Sequence, residues 1–168
     1  MRNDEGEGAG RSDLKDFPSR SFTENELKKI LESAISSFKT QDIDLLCVRS
    51  SERSMCHKLA EHLQRGLPQW HVDCEYNREK FHPKRIKLPR GDKERSVYPD
   101  IVVHKRGTNQ NILIIEAKCS DSTPTQIDHD VEKLKTYIET FCYLHAALVT
   151  FVIEGKFDVN FEFVYLNR

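Results

Sequence analysis

The chain of 168 residues lacks most of the signals by which a sequence reveals its compartment or its chemistry. No apolar run approaches the roughly 20 residues needed to span a bilayer, and residues 1–20 hold no hydrophobic targeting segment. Those twenty residues are rich in Gly, Ser and charge and read as a disordered leader; residues 21–168 read as a single domain, with no membrane partner and a cytoplasmic location. The five cysteines (Cys47, Cys56, Cys74, Cys119 and Cys142) are odd in number and form no CxxC pair, which argues against a disulfide framework and a zinc site. His129 and His145 likewise have no partners at ligand spacing. A glycine-rich phosphate loop, a nucleophile elbow, a heptad seam and an internal repeat are all missing, and the function classes built on them are set aside. The net charge of −1 provides no global attraction to nucleic acid.

What is present is organised around residues 97–120, VYPDIVVHKRGTNQNILIIEAKCS. Two apolar strands, 101–104 and 111–117, flank a loop of turn-forming residues, so the stretch reads as a hairpin. Alternation along the second strand puts Glu116 and Lys118 on one face and Ala117 on the other. A loop centred on Thr108 places Asp100 opposite Glu116 on that same face. Two carboxylates so close repel unless a cation lies between them, and an oxygen-only pair suits Mg²⁺ or Mn²⁺. The neighbouring ammonium of Lys118 is placed to orient a water or to stabilise charge on a phosphate. The plainer alternative is a surface hairpin with salt-bridged ends. Cys119, beside Lys118, is the cysteine whose oxidation would reach this chemistry.

The elements around the hairpin follow from spacing and caps. Thr23 and Glu26 form a capping box before Leu27, Ile30, Leu31, Ala34, Ile35 and Phe38, a structural helix. Residues 42–48 are either an extended connection or one helical turn. Ser51 caps a second helix running to Arg65, with Gly66 as its stop and Met55, Cys56, Leu59, Ala60 and Leu63 inward. Residues 70–76, WHVDCEY, alternate as a first core strand, which brings Glu75 near Asp100 if it runs antiparallel to 101–104. Asn77 and Arg78 then emerge at the rim of the cleft. The segment to Tyr98 carries eight Lys or Arg residues, among them Lys84, Arg85 and Lys87, and reads either as a phosphate-tracking loop or as a solvated insertion. Its direct entry into Asp100 favours substrate contact. Ile127, Val131, Leu134, Ile138 and Phe141 mark a helix over 127–141, flanked by Lys133 and Tyr137. Residues 146–153 form a buried strand parallel to 111–117, and 161–166 an edge strand.

Pro99-Asp100, followed by Glu116-Ala117-Lys118 at the end of an apolar strand, resembles the PD-(D/E)xK nuclease superfamily. CEYNR followed by a basic loop and YPDIVVHKRGTN is similar to small bacterial proteins of that superfamily without an assigned role, over residues 60–150. The resemblance implies a restriction-endonuclease-like αβββαβ core: an α/β fold with a central mixed sheet flanked by helices, here with an extra N-terminal helix and a C-terminal edge strand. It also implies Mg²⁺- or Mn²⁺-dependent hydrolysis of phosphodiesters, most often in DNA, with a homodimer as a natural way to cut both strands. Asp100 and Glu116 would hold the metal, with the Ala117 carbonyl and Glu75 or Glu61 completing the shell. Lys118 would activate water, and Lys133 is the candidate polar group from the following helix. The competing function is a catalytically silent nuclease-like module in a larger complex.

Overall fold

Caps and apolar spacing decide where the helices lie in the computed structural model, which describes residues 22–79, 82–89 and 93–166. The leader read over residues 1–20 lies outside them. Thr23 closes its capping box with Glu26 and starts α1 (Glu24–Gln41), whose Leu27, Leu31, Ala34, Ile35 and Phe38 are buried. One helical turn, α2 (Asp44–Cys47), settles the connection that sequence left open. Ser51 caps α3 (Glu52–Gly66) as its pattern predicts. Gly66 serves a different end from the expected stop, because an added Cβ would meet Ile30 Cγ2 at 3.3 Å, so its value is the close approach of α3 to α1.

Beyond α3, the strand β1 (His71–Cys74) is shorter than the alternation of 70–76 suggests. Glu75 takes a left-handed φ of 51° and ends it. The basic segment folds as two short ladders rather than as open loop: β2 (Arg78–Glu79) pairs with β3 (His82–Pro83), and β4 (Arg85–Ile86) pairs with β5 (Arg95–Ser96). There follow β6 (Ile101–His104), β7 (Asn111–Cys119), α4 (Pro124–Phe141), β8 (His145–Val152) and β9 (Asp158–Val164).

Five strands make one mixed sheet in the order β1-β6-β7-β8-β9, so the fold is α/β. The β7–β8 pair is parallel because α4 connects them on one face, and the other three pairs are antiparallel. Ile101, Val103, Leu113, Ile115 and Ala117 face the core built with α1 and α3. Val102, Ile114 and Leu148 face α4 together with Ile86 of β4. Burial on both faces explains why β7 carries a nearly continuous apolar run. Ile101 pairs with Ile115 and Val102 with Ile114, the register that a loop centred on Thr108 requires, and a bulge lies at Val103/His104. Among the described residues, no helix is long and apolar enough to cross a membrane.

Candidate functional site

The register of β6 against β7, carried one step further, sets Asp100 across from Glu116. Asp100 Oδ2 accepts a 2.7 Å hydrogen bond from the Ala117 N–H, which fixes the carboxylate at the strand end. Both acids therefore project from the α4-facing side of the sheet, where the elements above and below supply more charge. Glu116 is 1% exposed. Its Oε2 accepts from Lys133 Nζ, while its Oε1 has no hydrogen-bond partner. Lys133 Nζ also donates to Asp130 Oδ1 at 3.2 Å, one turn back on α4. Asp130 Oδ2 in turn lies 3.1 Å from Lys118 Nζ. Lys118 donates to Glu52 Oε1 at 3.1 Å, at the start of α3, and to its neighbour's carbonyl, Ala117 O, at 2.9 Å. The Tyr137 hydroxyl is buried beside the Glu116 carboxylate without an aligned hydrogen bond.

Four carboxylates (Asp100, Glu116, Asp130 and Glu52) thus face two ammonium groups. That excess of negative charge sets the protonation energetics. Burial pushes the Glu116 carboxyl up to about 8; Lys133 opposes the shift, and Asp100 and Asp130 add to it. Burial likewise raises Asp100, against the stabilising Ala117 N–H. For Lys118, burial favours the neutral amine, but Asp130 and Glu52 outweigh it and hold the ammonium above its ordinary range. Burial and the adjacent Glu116 drive the Tyr137 hydroxyl far up, so it stays a protonated donor. Cys119 is also raised, first by burial and then by Glu52, which makes its thiol a poor nucleophile rather than a reactive one.

Two openings reach this cluster. A cleft of about 750 Å³ lies between Ile86, Leu88, Arg95 and Val97 on one side and Val131, Lys133 and Lys135 of α4 on the other. A smaller cavity of about 300 Å³ is lined by Lys118, Gln126 and Asp130. Thr125 and His129 line both, so the two openings adjoin at the first turns of α4, Lys118 lining the smaller one.

The sequence-derived candidates divide sharply. Asp100, Glu116, Ala117, Lys118 and Lys133 come together. Glu75 lies beside Asp100 in backbone only: its N–H reaches Asp100 O at 3.3 Å, while its carboxylate turns away to Arg53 at 2.6 Å. Glu61 is elsewhere. Nine residues along α3 from Glu52 put it about 13 Å up the axis and about half a turn round, where it pairs with Lys58 and His57. The helix acid that meets the strand end is Glu52, in the first turn of α3, which spacing alone does not single out. Asn77 is used internally, its amide donating to Val97 O at 2.6 Å. Lys84 is 1% exposed. Its Nζ donates to Tyr143 Oη at 2.9 Å and sits over the Tyr76, Phe141 and Tyr143 rings, where burial pushes its ammonium down to about 8. Arg85 is paired with Glu94 at 3.3 Å. Arg78 and Lys87 are exposed and do not line the cleft. Asp130 was missed as well, although Asp130, Lys133 and Tyr137 recur at helical spacing and form a polar strip within an otherwise apolar face.

Among the described residues, no group of three His, Cys, Asp or Glu side chains is gathered closely enough to cage a metal ion. The two opposed carboxylates suit a hard cation that keeps several waters, and the Ala117 carbonyl at the same strand end is held by Lys118 Nζ at 2.9 Å. No protein-family model matches the chain, and no curated protein matches it. Among solved structures, the crystal structure of SSO0001 is similar at 17% identity, covering 84% of this chain and 79% of that one, with a TM-score of 0.35, a likeness too distant to carry an argument.

Proposed function

We propose that this domain is a metal-dependent nuclease of the PD-(D/E)xK type, hydrolysing phosphodiester bonds in DNA. The observation that carries the reading is the charge imbalance at the end of β7, where Glu116 is buried in a cluster of four carboxylates that share two ammonium groups. A protein retains so costly a group where a function requires it. The run α3–β1–β6–β7–α4–β8 follows the helix, three strands, helix, strand order that the sequence resemblance implies, which supports a restriction-endonuclease-like core.

In this reading Asp100, Glu116 and the Ala117 carbonyl hold Mg²⁺ or Mn²⁺. The bound cation supplies Lewis-acid activation and charge neutralisation at the phosphate. Lys118, fixed by Glu52 and Asp130, orients the attacking water and stays charged to stabilise the phosphate in the transition state. Glu52 and Asp130 are positioning residues that hold this ammonium in place.

The test is cleavage of supercoiled plasmid, linear duplex, single-stranded DNA, branched DNA and RNA with Mg²⁺ or Mn²⁺. It is run beside Glu116→Gln and Lys118→Ala proteins whose folding is checked by circular dichroism. Each substitution is expected to lower the rate by about 10²–10³-fold. A second reading, a silent nucleic-acid module, is favoured by the complete internal pairing of both ammonium groups. Binding of one of these substrates without metal-dependent cutting would select it.

A further inference from the structure

Lys133 belongs to two places at once. Its Nζ neutralises Glu116 and touches Asp130, and its side chain also lines the larger cleft beside Arg95 and Lys135. Lys118 differs: three acceptors on α3, α4 and β7 hold it, and it does not line that cleft. Resting on the nuclease reading, we propose that Lys133 is an exchangeable counter-ion. With the cleft empty it neutralises Glu116; a phosphate entering the cleft draws it outward and frees Glu116 for a divalent cation.

The physical case is a balance between two anions for one cation. A phosphate oxygen and a carboxylate oxygen are comparable acceptors for an ammonium, so the exchange turns on what is left behind. Asp130 keeps a partner after Lys133 leaves, because Lys118 remains 3.1 Å away. Glu116 does not: Lys133 is the one cation that touches it among the described residues, and an ionised buried carboxylate stripped of that cation is strongly unfavourable. The outward position of Lys133 is therefore completed only when another cation replaces it at Glu116. Nucleic acid and metal then bind with mutual reinforcement, each favouring the other through the same side chain. An apolar wall of Ile86, Leu88, Val97 and Val131 beside the cations gives the cleft room for a sugar or base next to the phosphate. Such a device keeps the metal site neutralised until substrate is present, and Lys133 acts in it as a positioning residue.

The exchange is tested without metal, so that neither turnover nor ion binding intrudes. Anisotropy of a short fluorescein-labelled DNA oligonucleotide, single-stranded or duplex, is measured in EDTA over a salt series at about pH 9, where the Glu116 carboxylate is ionised and Lys133 is its counter-ion. The proteins are the wild type, Glu116→Gln, Lys133→Met and the double variant, with Lys133→Gln replacing the methionine protein if the latter fails to fold. Neutralising Glu116 releases Lys133, so Glu116→Gln is expected to tighten binding and steepen the logarithmic salt slope by about one unit. In the Lys133-substituted background the same change is expected to alter neither. Equal tightening in both backgrounds would mean simple relief of carboxylate–phosphate repulsion and would overturn the exchange, leaving the nuclease reading intact. Absence of binding by all of the proteins would bring down both.

Discussion

Glu116 is a carboxylate held where a neutral carboxyl is more comfortable, and that discomfort is measurable. Its pKa in the folded chain is raised to about 8, principally by burial, from an ordinary 4.5. The folded state therefore holds this proton more tightly than the unfolded chain does. Its stabilising contribution is present below pH 4.5 and is lost as pH rises through 8. Asp100 shifts in the same direction. On the proposed function a divalent cation between the two acids would remove the penalty, so Mg²⁺ is expected to raise the melting temperature at pH 8 and to have no effect at about pH 5. At a metal concentration tenfold over Kd the gain is about 1.4 kcal/mol, or about 3–6 °C for a chain of this size. Glu116→Gln is expected to abolish the Mg²⁺ response and flatten the decline between pH 4.5 and 8; an unchanged response in that variant would place the ion elsewhere. Asp100, Glu116 and Lys118 were legible from sequence because strand alternation and a symmetric loop are local facts. Glu52 and Asp130 were not, since their approach to Lys118 depends on how two distant helices sit on the sheet.

Elements show the same division between local and tertiary causes. The capping box at Thr23 and the cap at Ser51 start two helices where their letters place them, whereas the capping box at Thr123 begins α4 three residues before the apolar pattern that sequence offered. The phase of α4 was harder. Its apolar residues spread broadly, and packing selects the Leu134–Tyr137–Phe141 face, burying Tyr137 and Asp130 while Ile127, Val131 and Ile138 are only half-buried. Lys133 reaches Glu116 because of that rotation. The end of α4 offers a test of the element itself. Cys142 caps it in the left-handed region, with φ 54° and ψ 39°, a conformation better suited to glycine. A non-glycine residue there costs about 1–2 kcal/mol, and glycine's greater unfolded-state freedom takes back roughly 0.5–1 kcal/mol. Cys142 is exposed, so no packing is lost with its side chain. Cys142→Gly is therefore expected to raise stability by about 0.5–1 kcal/mol, seen as a higher urea midpoint at unchanged slope. A lower midpoint would mean that the thiol makes a contribution beyond capping.

At the scale of the whole molecule the proposed nuclease function raises the question of how a chain of net charge −1 would meet a polyanion. Sequence suggested eight cations strung along residues 78–95 as a phosphate track. If all eight engaged duplex DNA, the logarithmic salt slope would be about −7, from about 0.9 counterion released per contact. Folding redistributes that charge. Lys84 is withdrawn into an aromatic cage, and Arg85 is engaged by Glu94. The cations that line the cleft are Lys93 and Arg95 from the loop with Lys133 and Lys135 from α4, and Lys133 is held by Glu116 in the absence of metal. With Lys93, Arg95 and Lys135 as the cleft cations that would engage phosphates, a duplex is expected to bind in EDTA with a slope of about −3. Arg95→Ala should lower that slope by about one unit, whereas Arg85→Ala should leave it unchanged. A slope near −7, or equal losses for Arg85 and Arg95, would show that the segment binds DNA as an extended basic strip and that the cleft beside α4 is not the path of the backbone. A slope near −3 that responds to Arg95 alone would place the phosphate beside Lys133, where the charge cluster at the end of β7 can act on it.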